Sequence, residues 1–261
     1  MPPPDPAPAD PLVTRLRAAG CVFAEEEAAL LRAATDSPDG LESLVARRVE
    51  GEPLETILGW AEFAGIRVAC APGVFVPRQR TELMVRLAAG RIAAGARVLD
   101  LGCGTGAIAA AVAARVPAVE VWAVDVDPDA VACARRNLPA DRVLLGDLYE
   151  PLRAGLRFGV ILANAPYVPT DEIALMPPEA RDHEHRVALD GGPDGLDVQR
   201  RAIAGASARL TPGGALLVET GRRQAPATAG LMRGAGLAAR IETDDEIGGT
   251  VVVGTYDARR T

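Results

Sequence analysis

A buried strand that runs directly into a glycine loop and a helix is the feature that most constrains this fold. Residues 97–101 read Arg-Val-Leu-Asp-Leu, Gly102, Gly104 and Gly106 follow, and small apolar residues continue from Ala107. Glycine lets the backbone turn sharply and approach a ligand closely. In an open parallel sheet this first turn lies at the carboxyl ends of the strands, where nucleotide ligands bind. The loop therefore predicts such a site.

The same alternation of apolar strands and helices continues along the chain. Strands that are apolar throughout are typical of a parallel sheet covered by helices on both faces. We therefore predict an α/β fold with a doubly wound sheet. The predicted strands are residues 96–101, 119–124, 142–145 and 158–163, with later strand-like stretches at 216–219 and 250–253.

The region before the sheet has a different character. Residues 1–11 alternate proline with alanine and aspartate, lack the segments of a signal peptide, and are predicted to be a disordered tail. Residues 12–60 show helical spacing broken by glycine and proline, which predicts a small helical domain. Residues 61–77 are predicted to form a linking β-hairpin that turns at 71–73, and residues 78–261 the catalytic domain.

Charge and composition exclude several classes. The formal net charge is −7, which argues against a protein that grips duplex nucleic acid through many phosphate contacts. The four cysteines lack the paired spacing of zinc or disulfide frameworks, and the longest wholly apolar run, residues 107–114, is too short to cross a membrane. We expect a cytoplasmic protein without a membrane span, with its oligomeric state open and a monomer favoured.

Acidic residues after successive strands favour S-adenosylmethionine over NAD. A carboxylate at Asp100 suits a cationic amino group better than a pyrophosphate. Asp125 can accept from both ribose hydroxyls of either cofactor, or can instead cap the next helix. Asp147 suits an adenine amino group, with Leu148 against the ring. The predicted cofactor residues are Asp100, Gly102, Cys103, Gly104, Gly106, Asp125, Val126, Asp147, Leu148 and Asn164.

The tetrapeptide Asn164-Ala165-Pro166-Tyr167 follows the strand at 158–163 and predicts the chemistry. A planar amide or conjugated amine is a poor nucleophile because its lone pair is delocalised. The Asn164 side-chain oxygen and the Ala165 carbonyl would accept its two N–H bonds and take up the positive charge that develops on methyl transfer. Pro166 would fix the turn and Tyr167 would stack on the planar group. A strand-end turn with a packed tyrosine is the alternative.

Further motifs extend this pattern over nearly the whole chain. They are Gly51-Glu52-Pro53-Leu54, Ile57-Leu58-Gly59, Glu62-Phe63, Pro72-Gly73-Val74, Val76-Pro77-Arg78, Thr81-Glu82, Glu184, Ala188-Leu189, Gly191-Gly192, Asp194-Gly195-Leu196 and Glu219. With the loop and the tetrapeptide, they make the chain resemble the protein-(glutamine-N(5)) methyltransferases of the HemK/PrmC type.

This resemblance implies a class I S-adenosylmethionine-dependent methyltransferase fold, Rossmann-like, with seven strands of which the last is antiparallel. It implies an N-terminal helical domain that meets the protein substrate, and methylation of the glutamine in the Gly-Gly-Gln loop of peptide-chain release factors. It also implies substrate-binding roles for Arg78, Thr81, Glu82 and Glu184.

Departures from the family pattern bear on the substrate more than on the reaction. Ala165 stands where proline is usual, Gln79-Arg80 replaces Pro-Asp, His185 replaces proline, and Thr250 stands near a usual arginine. A paralogue acting on another amide, a methyltransferase for an exocyclic amine of a nucleic-acid base, a non-catalytic binding module and an NAD-linked oxidoreductase remain alternatives.

Two other features are read as structural. His183 and His185 do not complete a usual metal set, so no metal is expected. Cys103 is interpreted as a small side chain in a tight turn rather than a nucleophile.

Overall fold

The computed structural model describes residues 10–257 and divides at Gly59 into two compact units. The predicted tail lies outside the described residues except for its last two, where the prediction is wrong. Pro11 is the first residue of helix α1 (Pro11–Ala18), and Asp10 accepts a hydrogen bond from Leu12 N at 3.0 Å. An aspartate cap followed by proline favours a helix start, so the helix begins earlier than its apolar spacing indicates.

The first unit is helical. After α1 come α2 (Ala24–Ala33), α3 (Pro38–Val49) and α4 (Leu54–Leu58). Leu16, Ala28, Leu31 and Val45 form its fully buried apolar core. One charged pair lies inside it, with Arg48 Nε 2.6 Å from the Glu27 carboxylate. The periodicity predicts these helices, and the structure shows that the unit has an apolar core of its own.

The second unit opens with a hairpin of β1 (Trp60–Phe63) and β2 (Ile66–Ala69). Its turn is Ala64-Gly65, both with positive φ, so the predicted turn at 71–73 is wrong. Two residues with positive φ match the twist of a tight hairpin, whereas 71–73 leads into a loop that carries Val74 and Val76. The hairpin lies within the second unit, and Phe63 and Val68 are buried in that unit's core.

The main sheet has seven strands, as predicted, in the order β5-β4-β3-β6-β7-β9-β8. Strands β3 to β7 run parallel, and β9 is antiparallel to both its neighbours. The chain leaves β3 towards β4 on one side and returns to β6 on the other, which creates a switch point at the carboxyl ends. The strands are β3 (Arg97–Leu101), β4 (Glu120–Asp125), β5 (Val143–Leu145), β6 (Phe158–Ala163), β7 (Leu210–Glu219), β8 (Leu237–Asp244) and β9 (Gly249–Tyr256).

Helices cover both faces of this sheet. Neighbouring residues point to opposite faces, so Val98 joins one core and Leu99 the other. The helices are α5 (Glu82–Ala89), α6 (Ala107–Arg115), α7 (Pro128–Ala134), α8 (Pro178–His183), α9 (Asp197–Ala206) and α10 (Ala225–Gly234). Within residues 10–257, none of the helices has the length and apolar content needed to span a bilayer.

Candidate active site

A cavity of about 310 Å³ lies at the carboxyl ends of β3, β4 and β6. This volume falls at the lower end of the range of small-molecule sites. Most predicted cofactor and catalytic residues line it. They are Gly102, Cys103, Gly104, Asp125, Val126, Asp147, Leu148, Asn164, Ala165, Pro166 and Tyr167, together with Thr81 from the predicted substrate set.

The glycine loop is shaped by its backbone. Gly102, Gly104 and Gly106 all have φ between 53° and 75°, a region that side chains disfavour. Gly102 N donates to Val124 O at 2.9 Å, which ties the loop to β4. At Gly106 a Cβ atom would come within 2.8 Å of Leu138. Gly106 therefore packs against the end of α7 instead of lining the cavity.

Asp125 is held by backbone donors and faces the cavity. Its Oδ2 accepts from Gly104 N at 2.8 Å and its Oδ1 from Asp127 N at 2.9 Å. Burial raises the pKa of this carboxyl. The helix cap is Asp127, whose side chain accepts from Asp129 N, so the alternative reading of Asp125 as the cap is wrong. A carboxylate has further lone pairs, which leaves Asp125 able to accept from hydroxyl groups in the cavity.

Asp100 lies beneath the loop and does not line the cavity. It is fully buried, and its Oδ2 accepts from Ala109 N at 3.2 Å. Its Oδ1 has no hydrogen-bond partner among residues 10–257. Burial, with the charge of Asp125, raises the pKa of Asp100 to about 8. A cationic ligand favours the ionised form of these two buried carboxyls and a pyrophosphate opposes it, which fits S-adenosylmethionine better than NAD.

Cys103 lines the cavity but has no thiolate character. Burial and the neighbouring carboxylates raise the pKa of its thiol well above the usual value. The thiolate is the nucleophilic form of cysteine, and here it is disfavoured. Cys103 therefore serves as a small wall residue.

The far end of the cavity carries the predicted adenine residues. Asp147 forms an ion pair with Arg201, and both side chains line the wall. Leu148 has a φ of 48°, which is uncommon for a branched side chain. Val126 is half exposed at the same end. This region offers an apolar surface beside a polar edge, as a purine ring requires.

The tetrapeptide forms the opposite end. Asn164 Nδ2 donates to Thr81 Oγ1 at 3.4 Å, which directs the amide nitrogen away and leaves the side-chain oxygen for another donor. The Tyr167 carbonyl accepts from Gln224 Nε2 at 2.9 Å. A Cβ at Gly195 would come within 2.3 Å of the same carbonyl oxygen. The residues around Gly195 thus support the tetrapeptide from behind.

Three predicted substrate residues lie outside the cavity wall and hold loops in place. Glu184 is buried and accepts from Val76 N at 3.1 Å and from Arg78 at 2.5 Å. Burial raises the pKa of Glu184, while Arg78 lowers it. Glu82 accepts from Ala64 N at 3.3 Å, in the hairpin turn. Glu184 and Glu82 thus accept hydrogen bonds from backbone N–H groups of loops, because such groups need partners when they are buried.

Sequence reasoning assigned no role to Arg80 or to Glu219. Arg80 lines the cavity, lies 6.0 Å from the Tyr167 ring and donates to Glu219 Oε1 at 3.3 Å. Glu219 ends β7 and is 1% exposed, and burial raises its pKa. A carboxylate at the end of an apolar strand could have marked Glu219 as a functional candidate. Its partner Arg80 lies 139 residues earlier in the chain, so the pair could not be recognised from the sequence.

His185 is part of a group of possible metal ligands. Its Nδ1 lies 2.6 Å from Asp127 Oδ2, and Asp129 completes a set of ligand atoms within 4.8 Å of one another. His183 is not in this group. The observed contact between His185 and Asp127 ties the loop after α8 to the start of α7.

Several known proteins are similar to this chain in sequence, and others are similar in fold. A family model described as "Methyltransferase small domain" matches residues 65–176. A release factor glutamine methyltransferase from Geobacter sulfurreducens is 43% identical, over 81% of this chain and 75% of the relative. One from Bordetella pertussis is 41% identical, over 88% of this chain and 90% of the relative.

A solved structure supports the architecture alone. A methyltransferase from Pyrococcus furiosus is 18% identical, with a TM-score of 0.55, over 74% of this chain and 90% of that one. The sequence relatives go further, because the aligned regions are more than 40% identical and cover most of both chains. The chain therefore belongs to the release factor glutamine methyltransferase family, whose members take their methyl group from S-adenosylmethionine.

Proposed function

We propose that this protein methylates the side-chain amide nitrogen of a glutamine in peptide-chain release factors. The observation that carries the proposal is the tetrapeptide at the cavity wall, where Asn164 is turned so that its oxygen is available to a planar N–H group. The names of the relatives from Geobacter sulfurreducens and Bordetella pertussis support this substrate.

The donor half of the cavity binds and orients the cofactor. We assign Asp125 to the ribose hydroxyls, and Asp147 with Leu148 to the adenine. Asp100 lies buried below the loop, where a cationic ligand would favour its ionised form. When bound, S-adenosylmethionine supplies a methyl group on a cationic sulfonium; the new C–N bond forms as the C–S bond breaks, and the sulfur keeps the electron pair.

The acceptor half makes the amide reactive by holding it. Asn164 Oδ1 and the Ala165 carbonyl accept the two N–H bonds, which fixes the nitrogen in line with the methyl group. Both acceptors stabilise the positive charge that appears on the nitrogen before one proton leaves to water. Alanine in place of proline at 165 keeps the carbonyl that does this. Burial raises the pKa of Tyr167, so its ring packs on the amide as a neutral phenol.

The helical residues 12–60 are assigned to recognition of the protein substrate. Every side chain assigned to the cofactor or to the amide comes from the second unit. A glutamine must be delivered into a deep site, and contacts to the surrounding fold supply orientation that one side chain lacks. A substrate used in translation supports a cytoplasmic location, which we propose for this protein.

The test uses labelled S-adenosylmethionine with purified release factors and, separately, a cell lysate. Mass spectrometry should locate one added methyl group on the Gly-Gly-Gln glutamine. The matched control is a release factor in which that glutamine is alanine, which should stay unlabelled. Label on another lysate protein, on nucleic acid or on nothing at all would reject the proposed substrate.

A further inference from the structure

A line of three polar side chains runs inward from the acceptor end of the cavity. Asn164 at the wall donates through Nδ2 to Thr81 Oγ1. Thr81 is 2% exposed, and Glu219 behind it is 1% exposed. The hydroxyls of Thr81 and Tyr167 both lie where they lower the pKa of Glu219, and Arg80 Nε donates to its Oε1 at 3.3 Å. The Thr81 hydroxyl thus lies next to both the Asn164 amide and a buried carboxyl.

The carboxyl decides which way the hydroxyl points. A carboxylate only accepts hydrogen bonds, whereas a hydroxyl has one hydrogen to give and lone pairs to receive. Glu219 Oε2 is buried and has no hydrogen bond of ordinary geometry to any residue from 10 to 257. Leaving such an oxygen unpaired is costly. Thr81 Oγ1 already accepts from Asn164 Nδ2, so its own hydrogen is free to turn towards the carboxylate. The lone pairs of Thr81 then face Asn164.

This direction matters because the two ends of an asparagine amide are opposite in function. With the Thr81 lone pairs facing it, Asn164 presents its NH₂ group to Thr81 and its oxygen to the cavity. If Thr81 instead donated to Asn164, the amide would rotate by half a turn. Its NH₂ group would then face the N–H bonds of the substrate amide and oppose binding.

We propose that Glu219 is a positioning residue that acts through Thr81 to hold the Asn164 amide in its productive orientation. The inference rests on the proposed function, because it gives the Asn164 oxygen the role of receiving the substrate amide. It assigns a role to a buried acid that does not line the cavity. Arg80 supports that role by pairing with the ionised carboxyl from the other side.

The ionisation of Glu219 gives the proposal a signature in the pH profile. Arg80 and Tyr167 face the carboxyl, and Arg78 with Glu184 lies beyond Arg80. Burial raises the pKa of Glu219 above its usual value, and the cation beside it does not fully reverse this. Protonation frees the carboxyl to donate, so the rate should fall as the pH falls through this raised pKa.

The test compares Glu219→Gln, Thr81→Val and Thr81→Ser in the full chain with S-adenosylmethionine and a release factor. Glutamine keeps the shape of Glu219 but can donate, and valine removes the relay. Both should lower kcat by about 10- to 100-fold, less than complete loss of an oriented donor or acceptor in an active site. Serine keeps the hydroxyl and should restore most of the rate.

The matched control is Thr211→Val, at the opposite end of β7, where the hydroxyl donates to Phe158 O at 3.3 Å. It should leave kcat unchanged. The affinity for S-adenosylmethionine, measured by calorimetry, should be the same in all variants. Glu219→Gln should also remove the acidic limb of the kcat profile, which a purely structural change would not do.

The outcomes separate this inference from the proposed function. If wild-type protein methylates no glutamine, the proposed function fails. If wild-type protein is active and Glu219→Gln has the same kcat and the same acidic limb, the positioning role is wrong. Should Glu219→Gln not fold, Thr81→Val decides, because a kcat equal to that of Thr81→Ser overturns the relay.

Discussion

The two ends of the cavity are built in different ways. The donor end is made mainly of backbone: glycines with positive φ and amide groups that donate to Asp125. The acceptor end is made of side chains from separate segments, with Asn164 bound to Thr81 and Arg80 bound to Glu219. A short stretch of sequence can encode the first arrangement. The second exists only after the chain has folded.

The two ends of the cavity also have different tasks under the proposed function. The donor end must hold a ligand that is the same in every turnover, and a fixed backbone does this well. The acceptor end must hold a weak nucleophile in one orientation, which depends on where individual oxygens and hydrogens point. Variants at the two ends should therefore fail in different measurements.

The largest effect is expected for Asn164→Ala. It removes one of the two acceptors for the substrate amide, which should lower kcat by about 100-fold or more. The affinity for S-adenosylmethionine should stay nearly unchanged, because the donor end is intact. Single-turnover assays and calorimetry measure the two quantities separately. Equal losses in both would show that the tetrapeptide turn had collapsed and that the two ends are not independent.

Asp125→Ala should produce the reverse pattern. Loss of the charged acceptor for the ribose hydroxyls should weaken cofactor binding by roughly 1 to 3 kcal/mol. At saturating cofactor, kcat should recover most of its wild-type value. Asp129→Asn is the matched control, since Asp129 is an exposed acid in the first turn of α7, four residues after Asp125, and does not line the cavity. Equal weakening in both variants would point to net charge instead of a specific contact.

Gly106→Ala tests whether the donor end depends on its backbone. A Cβ here meets Leu138 at 2.8 Å and Ala134 at 3.2 Å, and φ is 75°. Gly95 also has a φ of 75°, but a Cβ there meets nothing within 4 Å. Gly95→Ala should cost about 1 kcal/mol of unfolding free energy, and Gly106→Ala about 2 to 3 kcal/mol. Denaturant titration of both variants measures the two losses in unfolding free energy, and their difference is the packing cost at Gly106. Equal losses would show that packing against Leu138 and Ala134 contributes nothing.

The sequence predicts the donor end well because its signals are local. The glycine loop and the acids at the carboxyl ends of β3, β4 and β5 lie within about fifty residues, and each has a backbone reason for its place. The sequence predicts the individual roles of these acids less well. Spacing alone left Asp125 as either a ribose acceptor or a helix cap, and only the folded chain shows that Asp127 is the cap. Asp100 was placed against the ligand, but it lies below the loop.

Tertiary context explains what the sequence did not predict. Strand β8 was not predicted because half of Leu237–Asp244 is polar, as an edge strand can be. The hairpin turn was misplaced because Ala64-Gly65 is a weaker signal than a proline-glycine pair. Arg80 and Glu219 could not be matched, since no local period relates a loop residue to the end of a distant strand.

The smallest effect concerns Asp100 and the pH dependence of cofactor binding. The pKa of Asp100 is about 8, so near neutral pH its carboxyl is mostly protonated. A cationic ligand favours the ionised form and lowers this pKa, so binding should release a proton. Affinity should then rise as the pH rises towards 8, by at most about tenfold per pH unit for one proton.

Calorimetry in buffers of different ionisation enthalpy measures that proton directly. Asp100→Asn is the decisive variant, because asparagine can still accept from Ala109 N but does not titrate. It should bind without releasing a proton and show a flat profile between about pH 6 and 8. If the variant releases the same fraction of a proton as the wild type, the titrating group is elsewhere. The charge beneath the glycine loop would then play no part in selecting the donor, and the backbone alone would account for that end of the cavity.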